Sequence, residues 1–339
     1  MLLASNHVWS SLVPNANEPN SALTYYVHYG ANIDRHTRVT AALLTQILSE
    51  PAFDILRTKE QLGYIVGASM WTTPGDNEAG LRIVVQSERG PVYLEERVEA
   101  FLDHMKGVIE RMTDEEFAEQ RNGLERKWRE APKNLVEEVG RHWAQIDSGY
   151  LDFLRRKCLV LLDKKSSYSS NPQPTGTEDA DFLGAVSKQD ILSLFLTRVH
   201  PSSKARSKLS IHMQSQKPQP KHVSHAAAYA FVQIAHEQGF NLEDVDWNSS
   251  LYADGEPSEI QFTTFWKNTL TEGPAGAVEK IFAALPHLAE RFPAERDATG
   301  SLTEDAIYIK DVPAFRNSLQ VSEPPKPLVV WNDLPIARF

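Results

Sequence analysis

Two runs rich in β-branched and aromatic residues, Tyr64–Trp71 (YIVGASMW) and Leu81–Ser87 (LRIVVQS), flank a cluster of turn formers, Pro74-Gly75-Asp76-Asn77. Strand-forming runs joined by such residues fold back on one another, so this stretch predicts an antiparallel hairpin. Leu23–Tyr29 (LTYYVHY) predicts a further strand for the same compositional reason. Between them Val39, Ala42, Leu43 and Ile47 recur at helical spacing, which predicts a helix from Asp34 to Ser49 with Asp34 as its N-cap. Pro51 predicts a break after that helix, followed by a short amphipathic turn through Phe53, Ile55 and Leu56 up to Gln61. Gly63 is placed to supply an unusual backbone angle where that element ends.

Downstream the pattern turns helical. A helix is expected from Val92 to Met112, and a second from Thr113, where Thr113-Asp114-Glu115-Glu116 fits a capping box. A third follows Pro132, from near Lys133 toward Gly149, and Ser187–His200 predicts another before a closing strand, Lys208–Met213 (KLSIHM). Strand, helix, hairpin, helices and strand make an α+β class: a mostly antiparallel sheet covered by helices. Ser166–Asp181, rich in Ser, Pro, Thr and Asp, reads as a loop, and Gln214–Pro220 (QSQKPQP) as a linker. Beyond it helices are expected over 225–238 and 278–291, then a Pro-rich stretch, Glu323–Leu328. The expected organisation is a domain over 1–215, a linker and mainly helical, partly disordered insertion over 216–310, and a closing segment and tail over 311–339.

Composition narrows the partners. The net charge of -10 repels phosphate backbones and argues against nucleic acid. No segment approaches the roughly 20 consecutive apolar residues that a membrane helix needs. Cys158 is the single cysteine, so no internal disulfide can form, and that scarcity suits a reducing compartment. The N-terminal Met1–His7 lacks the features of a signal peptide, which makes the cytoplasm the expected location. The final Ala337-Arg338-Phe339 is a weak likeness of a peroxisomal Ser-Lys-Leu tail, with a frayed terminus the simpler reading; a peroxisomal or mitochondrial location has little support.

Catalytic machinery is hard to assemble from these residues. A zinc peptidase helix needs two His on one face with a Glu acting on bound water. The nearest approaches are His287-Leu288-Ala289-Glu290-Arg291 and His236-Glu237-Gln238-Gly239-Phe240, where Arg and Phe stand at the second ligand position. His222, His225 and His236 could gather a metal but lack a convincing fourth ligand, and solvated surface histidines are the simpler reading. Cys158, with His142 as a candidate base, lies beside Leu and Val and reads better as a core filler than as a nucleophile. No metal ligand set is therefore expected in the chain.

The most informative stretch is Ser49–Tyr64, SEPAFDILRTKEQLGY. Arg57 and Tyr64 bracket a helix end and a turn at Gly63, so both could project to one edge of the sheet. A permanent cation with fork-like donors beside a phenolic donor suits a peptide carbonyl or a developing oxyanion. The competing reading pairs Arg57 with Glu60 or Asp54 at the surface and puts Tyr64 in the core; from residue chemistry alone this simpler arrangement is favoured.

Leu56-Arg57-Thr58-Lys59-Glu60-Gln61-Leu62-Gly63-Tyr64 resembles the signature of the fourth, C-terminal domain of the insulysin (insulin-degrading enzyme) type of zinc metallopeptidase, in the pitrilysin family, with fungal relatives. The flanks agree: Ser49-Glu50-Pro51, Gly80-Leu81-Arg82, Gln86-Ser87-Glu88, Tyr93-Leu94-Glu95, Arg97–Phe101 and Met112–Phe117. The likeness keeps register from about Asn20 to Met213 and resumes at Asp311–Leu319 (DVPAFRNSL), leaving roughly 217–310 as an insertion that the family pattern lacks. The resemblance implies that Arg57 and Tyr64 contact the substrate carbonyl or oxyanion, and that zinc is brought by a separate N-terminal half bearing an inverted His-x-x-Glu-His motif. It implies an enclosed chamber and peptide substrates: insulin-like and amyloid-like peptides and fungal pheromone precursors. Without the zinc half the chain is expected to be inactive alone. The alternative is a stand-alone, non-catalytic peptide-binding or scaffolding protein.

Overall fold

The computed structural model describes residues 5–31, 33–72, 78–148, 176–217, 221–253, 255–271, 276–295 and 299–319. The chain enters through β1 (Asn6–Leu12) and β2 (Ser21–Ala31), then α1 (Arg35–Ala52). The hairpin β3 (Ile65–Thr72) and β4 (Glu78–Ser87) follows, then α2 (Pro91–Arg111), α3 (Asp114–Arg129) and α4 (Leu135–Ser148). After α5 (Gly176–Phe182) and α6 (Lys188–Leu194), β5 (Lys208–Gln214) completes the N-terminal part. The C-terminal part holds α7 (His225–Glu237), α8 (Trp247–Tyr252), α9 (Glu259–Thr269), α10 (Ala277–Arg291), β6 (Ile307–Tyr308) and α11 (Val312–Ser318).

The strands form one sheet in the order β3-β4-β2-β5-β1-β6. β3 on β4, β4 on β2 and β2 on β5 are antiparallel; β1 is parallel to both β5 and β6. The α+β architecture is therefore as expected, and the two parallel pairs come from strands that the sequence pattern did not reveal. Alternation along β2 and β4 sends Leu23, Tyr25, Val27, Leu81, Ile83 and Val85 into a core shared with Val39, Leu43 and Ile47 of α1 and Leu94, Val98 and Phe101 of α2. The helical run 35–59 is long and apolar enough to cross a membrane by length and composition alone, contrary to the sequence expectation; its apolar face is spent on this core.

Local chemistry explains the boundaries. The Asp34 carboxylate accepts from the Thr37 amide, capping α1, and Thr113 with Glu116 closes the predicted box on α3. Pro51, expected to end the first helix, lies inside it. A helical proline lacks its own donor and crowds the carbonyl four residues back; the chain runs on and widens into a π-helix, Phe53–Lys59, where a short turn was expected. The π-helical Phe195–Val199 extends α6 in the same way, completing the helix predicted to His200. The expected loop Ser166–Asp181 is helical from Gly176. Within the expected linker, Ser215 donates to Glu18 O at 2.7 Å and Gln216 to Val13 O at 2.7 Å, so its first residues pack on the sheet domain. The Pro74–Asn77 turn, Cys158, the Pro-rich 323–328 stretch and the C-terminal tripeptide lie outside the described residues.

Helices α7, α9 and α10 enclose a second apolar core. Phe231 packs with Phe262, Trp266 and Phe282 at ring separations of 5.0, 5.5 and 5.4 Å. α8 and α9 are further helices that the sequence pattern left unread.

Candidate functional site

The π-helix places Phe53 and Arg57 one above the other. The Arg57 guanidinium carbon lies 4.6 Å from the Phe53 ring centroid and 4.8 Å from that of Tyr64, so the cation is sandwiched between two aromatic faces. The surface pairing weighed against this arrangement is taken up elsewhere: Asp54 binds Lys59 at 2.7 Å and Glu60 binds Arg97. Tyr64 is 82% exposed, outside the strand rather than in the core. The two residues do come together at the sheet edge.

What carries the chain from Arg57 to Tyr64 is a braced turn. The Glu60 amide bonds back to Ile55 O at 2.8 Å and the Leu62 amide to Leu56 O at 3.0 Å. Both Glu60 carboxylate oxygens accept from Arg97 of α2 at 2.7 Å, an arrangement that raises the guanidinium pKa, chiefly through those hydrogen bonds. Leu62 is buried as a peg between them. The unusual backbone angle falls on Gln61, with φ 50°, not on Gly63. Gly63 is needed for a different reason: a Cβ there would stand 1.9 Å from Gln86 O. Its backbone lies against β4, and Tyr64 is thereby turned outward. This contact is between residues 23 positions apart, and periodicity does not report it.

Tyr64 lies on the rim of a cleft of about 1690 Å³ between the sheet domain and the second helical core. Its floor includes Lys59 to Gly63, Tyr93 and Arg97; Glu256, Glu259 and Glu290 come from the far wall. Contacts that join the two sides include Arg89 donating to Glu295 O at 2.9 Å, the Ser301 amide to Glu96 at 2.7 Å, and Gly300, at φ +70°, against the Tyr93 backbone.

His222 and His225 line this cleft, and His236 stands eleven residues along α7 from His225, roughly 16 Å away. His225 bonds Asn248 at 2.9 Å and lies against Tyr252. Among the described residues no group of three or more His, Cys, Asp or Glu could hold a metal ion, so the donor set does not fit zinc. His142 is exposed on α4, and its suggested partner Cys158 is outside the described residues.

A second ionic group, unforeseen in the sequence, is buried under the sheet. Lys208 and His212 point from β5 toward Glu95 and Glu99 of α2; Lys208 contacts both carboxylates, His212 meets Glu95 at 2.6 Å, and Arg206 meets Glu99 at 2.7 Å. The reversed polarity of KLSIHM was the available signal, since its polar positions face the core.

A family model described as PQQ synthase PqqF-like, C-terminal lobe domain 4, matches residues 43–143. The Schizosaccharomyces pombe protein mug138 is 35% identical over 213 residues, covering 62% of this chain and 20% of that protein. Insulin-degrading enzyme of Drosophila melanogaster is 32% identical over 212 residues, covering 62% and 19%. A crystal structure of pitrilysin aligns with a TM-score of 0.49 at 21% identity, covering 63% of this chain and 20% of that one. The chain thus spans about a fifth of the length of the curated relatives it matches. Over about 60% of its length it is a homologue of the insulin-degrading enzymes, and residues 43–143 match a PqqF-like C-terminal lobe domain.

Proposed function

We propose that this chain is the substrate-contacting C-terminal part of a zinc metalloendopeptidase that degrades short peptides in an enclosed chamber. The single observation that supports it best is the exposed Tyr64 phenol on the cleft rim, with the Arg57 cation stacked on its ring. A guanidinium in that position is oriented, and among the described residues no carboxylate pairs with it. It offers planar N–H donors, and the phenol offers an O–H, to a carbonyl oxygen that gains charge as its carbon is attacked. Zinc and its activated water belong, in this reading, to an N-terminal half on the same or another polypeptide. Among the described residues no ligand set for it is present.

The name of the Drosophila relative points to insulin-sized peptides as the substrate class. The test is reconstitution: purified chain is assayed for peptide cleavage with zinc, with and without a separately expressed zinc-bearing half. Cleavage that appears only with both parts, and is reduced by Arg57→Ala, supports the reading. Tight peptide binding by the chain alone, with no cleavage on adding the half, supports a stand-alone peptide-binding protein instead.

A further inference from the structure

The far wall of the cleft that carries Tyr64 is built by residues 221–295, within the stretch that the family pattern lacks. Two helix ends bring carboxylates to it. Along α10, Ile281, Leu285 and Leu288 are buried in the second core, while Pro286, Ala289 and Glu290 line the cleft. α9 is pinned at its start: the Glu259 amide donates to Lys221 O at 2.7 Å, beside an antiparallel bridge between His222 and Ser258. Ser258 and Gln261 close a capping box at the same point. Glu259 and Glu290 are thus carried to the cleft by backbone that the packing of the helical unit holds in place.

The two walls differ in how their charges are committed. On the floor, Lys59 pairs with Asp54 and Arg97 with Glu60. Among the described residues no cation pairs with Glu259 or Glu290. Glu290 stands in the last turn of α10, where the helix dipole disfavours an acid, and a cation in the cleft would relieve that conflict. Residues 221–295 hold eleven acidic and four basic side chains, so most of the net charge of -10 lies on this unit. The cleft already seats one guanidinium of the chain itself. Arg89 lies 3.8 Å from the Tyr93 ring centroid and donates to Glu295 O at the end of the far wall.

The geometry points to a specificity-determining wall: Glu259 and Glu290 receive a Lys or Arg side chain of a peptide held at Tyr64, which makes basic peptides the preferred class. This role deepens the proposed substrate-contacting role of Tyr64 and rests on it. Tyr93 offers the aromatic face on which the stem or head of the incoming cation can lie, as Arg89 does now. Carboxylates at these partly exposed positions contribute a modest factor in affinity, strongest at low salt, and a larger one in the choice between peptides of opposite charge.

The test uses the full chain and unstructured peptides of equal length, alike except for a central Lys-Lys, Gln-Gln or Glu-Glu pair. Kd is measured at low salt, and the Tyr64 ring resonances report whether the peptide reaches the rim. The Lys-Lys peptide should bind tightest and shift Tyr64. Glu259→Gln with Glu290→Gln should weaken it about threefold to tenfold and leave the Gln-Gln peptide unchanged. Glu243→Gln with Glu279→Gln removes the same charge from exposed positions of the unit outside the cleft and should leave every Kd as it was. Thermal unfolding checks that each variant is folded. Equal weakening by the two pairs of substitutions reduces the effect to net charge and overturns the wall. Binding that shifts Tyr64 without preference for Lys-Lys also overturns it and spares the substrate-site reading. Charge-selective binding that leaves Tyr64 unshifted separates the glutamates from that site and overturns the inference. Absence of binding by every peptide overturns both.

Discussion

Glu60 and Arg97 hold each other through two hydrogen bonds of 2.7 Å, and this pair ties the turn before Tyr64 to the middle of α2. The turn has few other long-range anchors: Leu62 in the core and Gly63 against Gln86. Replacing Arg97 by Met keeps the side-chain bulk and removes both bonds. Each partner is partly exposed, so the loss in stability is modest, about 1 kcal/mol. Under the proposed function the consequence for activity is larger, because Tyr64 loses its fixed position. In the reconstituted peptidase Arg97→Met should lower kcat several-fold with a small change in melting temperature. Equal proportional losses of folded protein and activity would indicate a purely structural pair.

Gly63→Ala tests the backbone contact directly. The new Cβ would fall 1.9 Å from Gln86 O, a backbone atom that pairs with the first residue of β3 at the open end of the hairpin. The turn must move, at a cost of about 1–3 kcal/mol by analogy with overpacking. Thermal unfolding should show that loss, and the Tyr64 ring resonances should shift. At Gly67, where a Cβ meets open space, the same substitution should leave stability within about 0.5 kcal/mol.

The second helical core offers an independent prediction. Phe231 is fully buried among Phe262, Trp266 and Phe282, in a cluster separate from the core under the sheet. Phe231→Ala should cost about 3–5 kcal/mol. Hydrogen exchange should accelerate over α7, α9 and α10, while β2 and α2 keep their protection. Loss of protection in both regions together would make the two cores one cooperative unit.

The buried titratable groups set the pH range of the fold. His7, His28 and His200 are held below the ordinary histidine range, foremost because burial penalises the imidazolium. The unfolded chain protonates near pH ~6.5 and the folded one only lower, so their contribution is full above that value and is lost as pH falls through the folded range. Glu95 and Glu99 are also lowered: burial opposes the charge, and it is outweighed by hydrogen bonds and attraction from His212, Lys208 and Arg206. Their contribution is full above about pH 4.3 and declines as the pH falls further. The melting temperature should therefore drop in two stages on acidification. A flat profile between about pH 7 and 5 would contradict the histidine part of this account.

Much of this fold can be read from periodicity. The hairpin, α1 with its Asp34 cap, and the Thr113 box on α3 all rest on local patterns of apolar spacing and capping, and they stand where those patterns put them. β1 was not legible, since NHVWSSL has no clean alternation and its place depends on parallel pairing with β5 some 200 residues away. β6 is two residues long and gains its identity only from β1. Pro51 misled because a π-helix can absorb a proline that would end an α-helix. At the site the residue types of Arg57 and Tyr64 were visible, but their contact depends on three long-range anchors at Glu60, Leu62 and Gly63. The surface salt bridge that sequence proximity suggested for Arg57 was displaced by closer partners for Asp54 and Glu60.

Under the proposed function the Tyr64 phenol donates to charge that develops during peptide hydrolysis. Tyr64→Phe removes that one donor, keeps the ring that stacks on Arg57, and alters an exposed side chain whose loss does not threaten the fold. The decisive measurement is kcat and KM for Tyr64→Phe in the enzyme reconstituted with its zinc-bearing half. The kcat should fall by about 10²–10³ with KM little changed, as for other oxyanion donors. An unchanged kcat would contradict it.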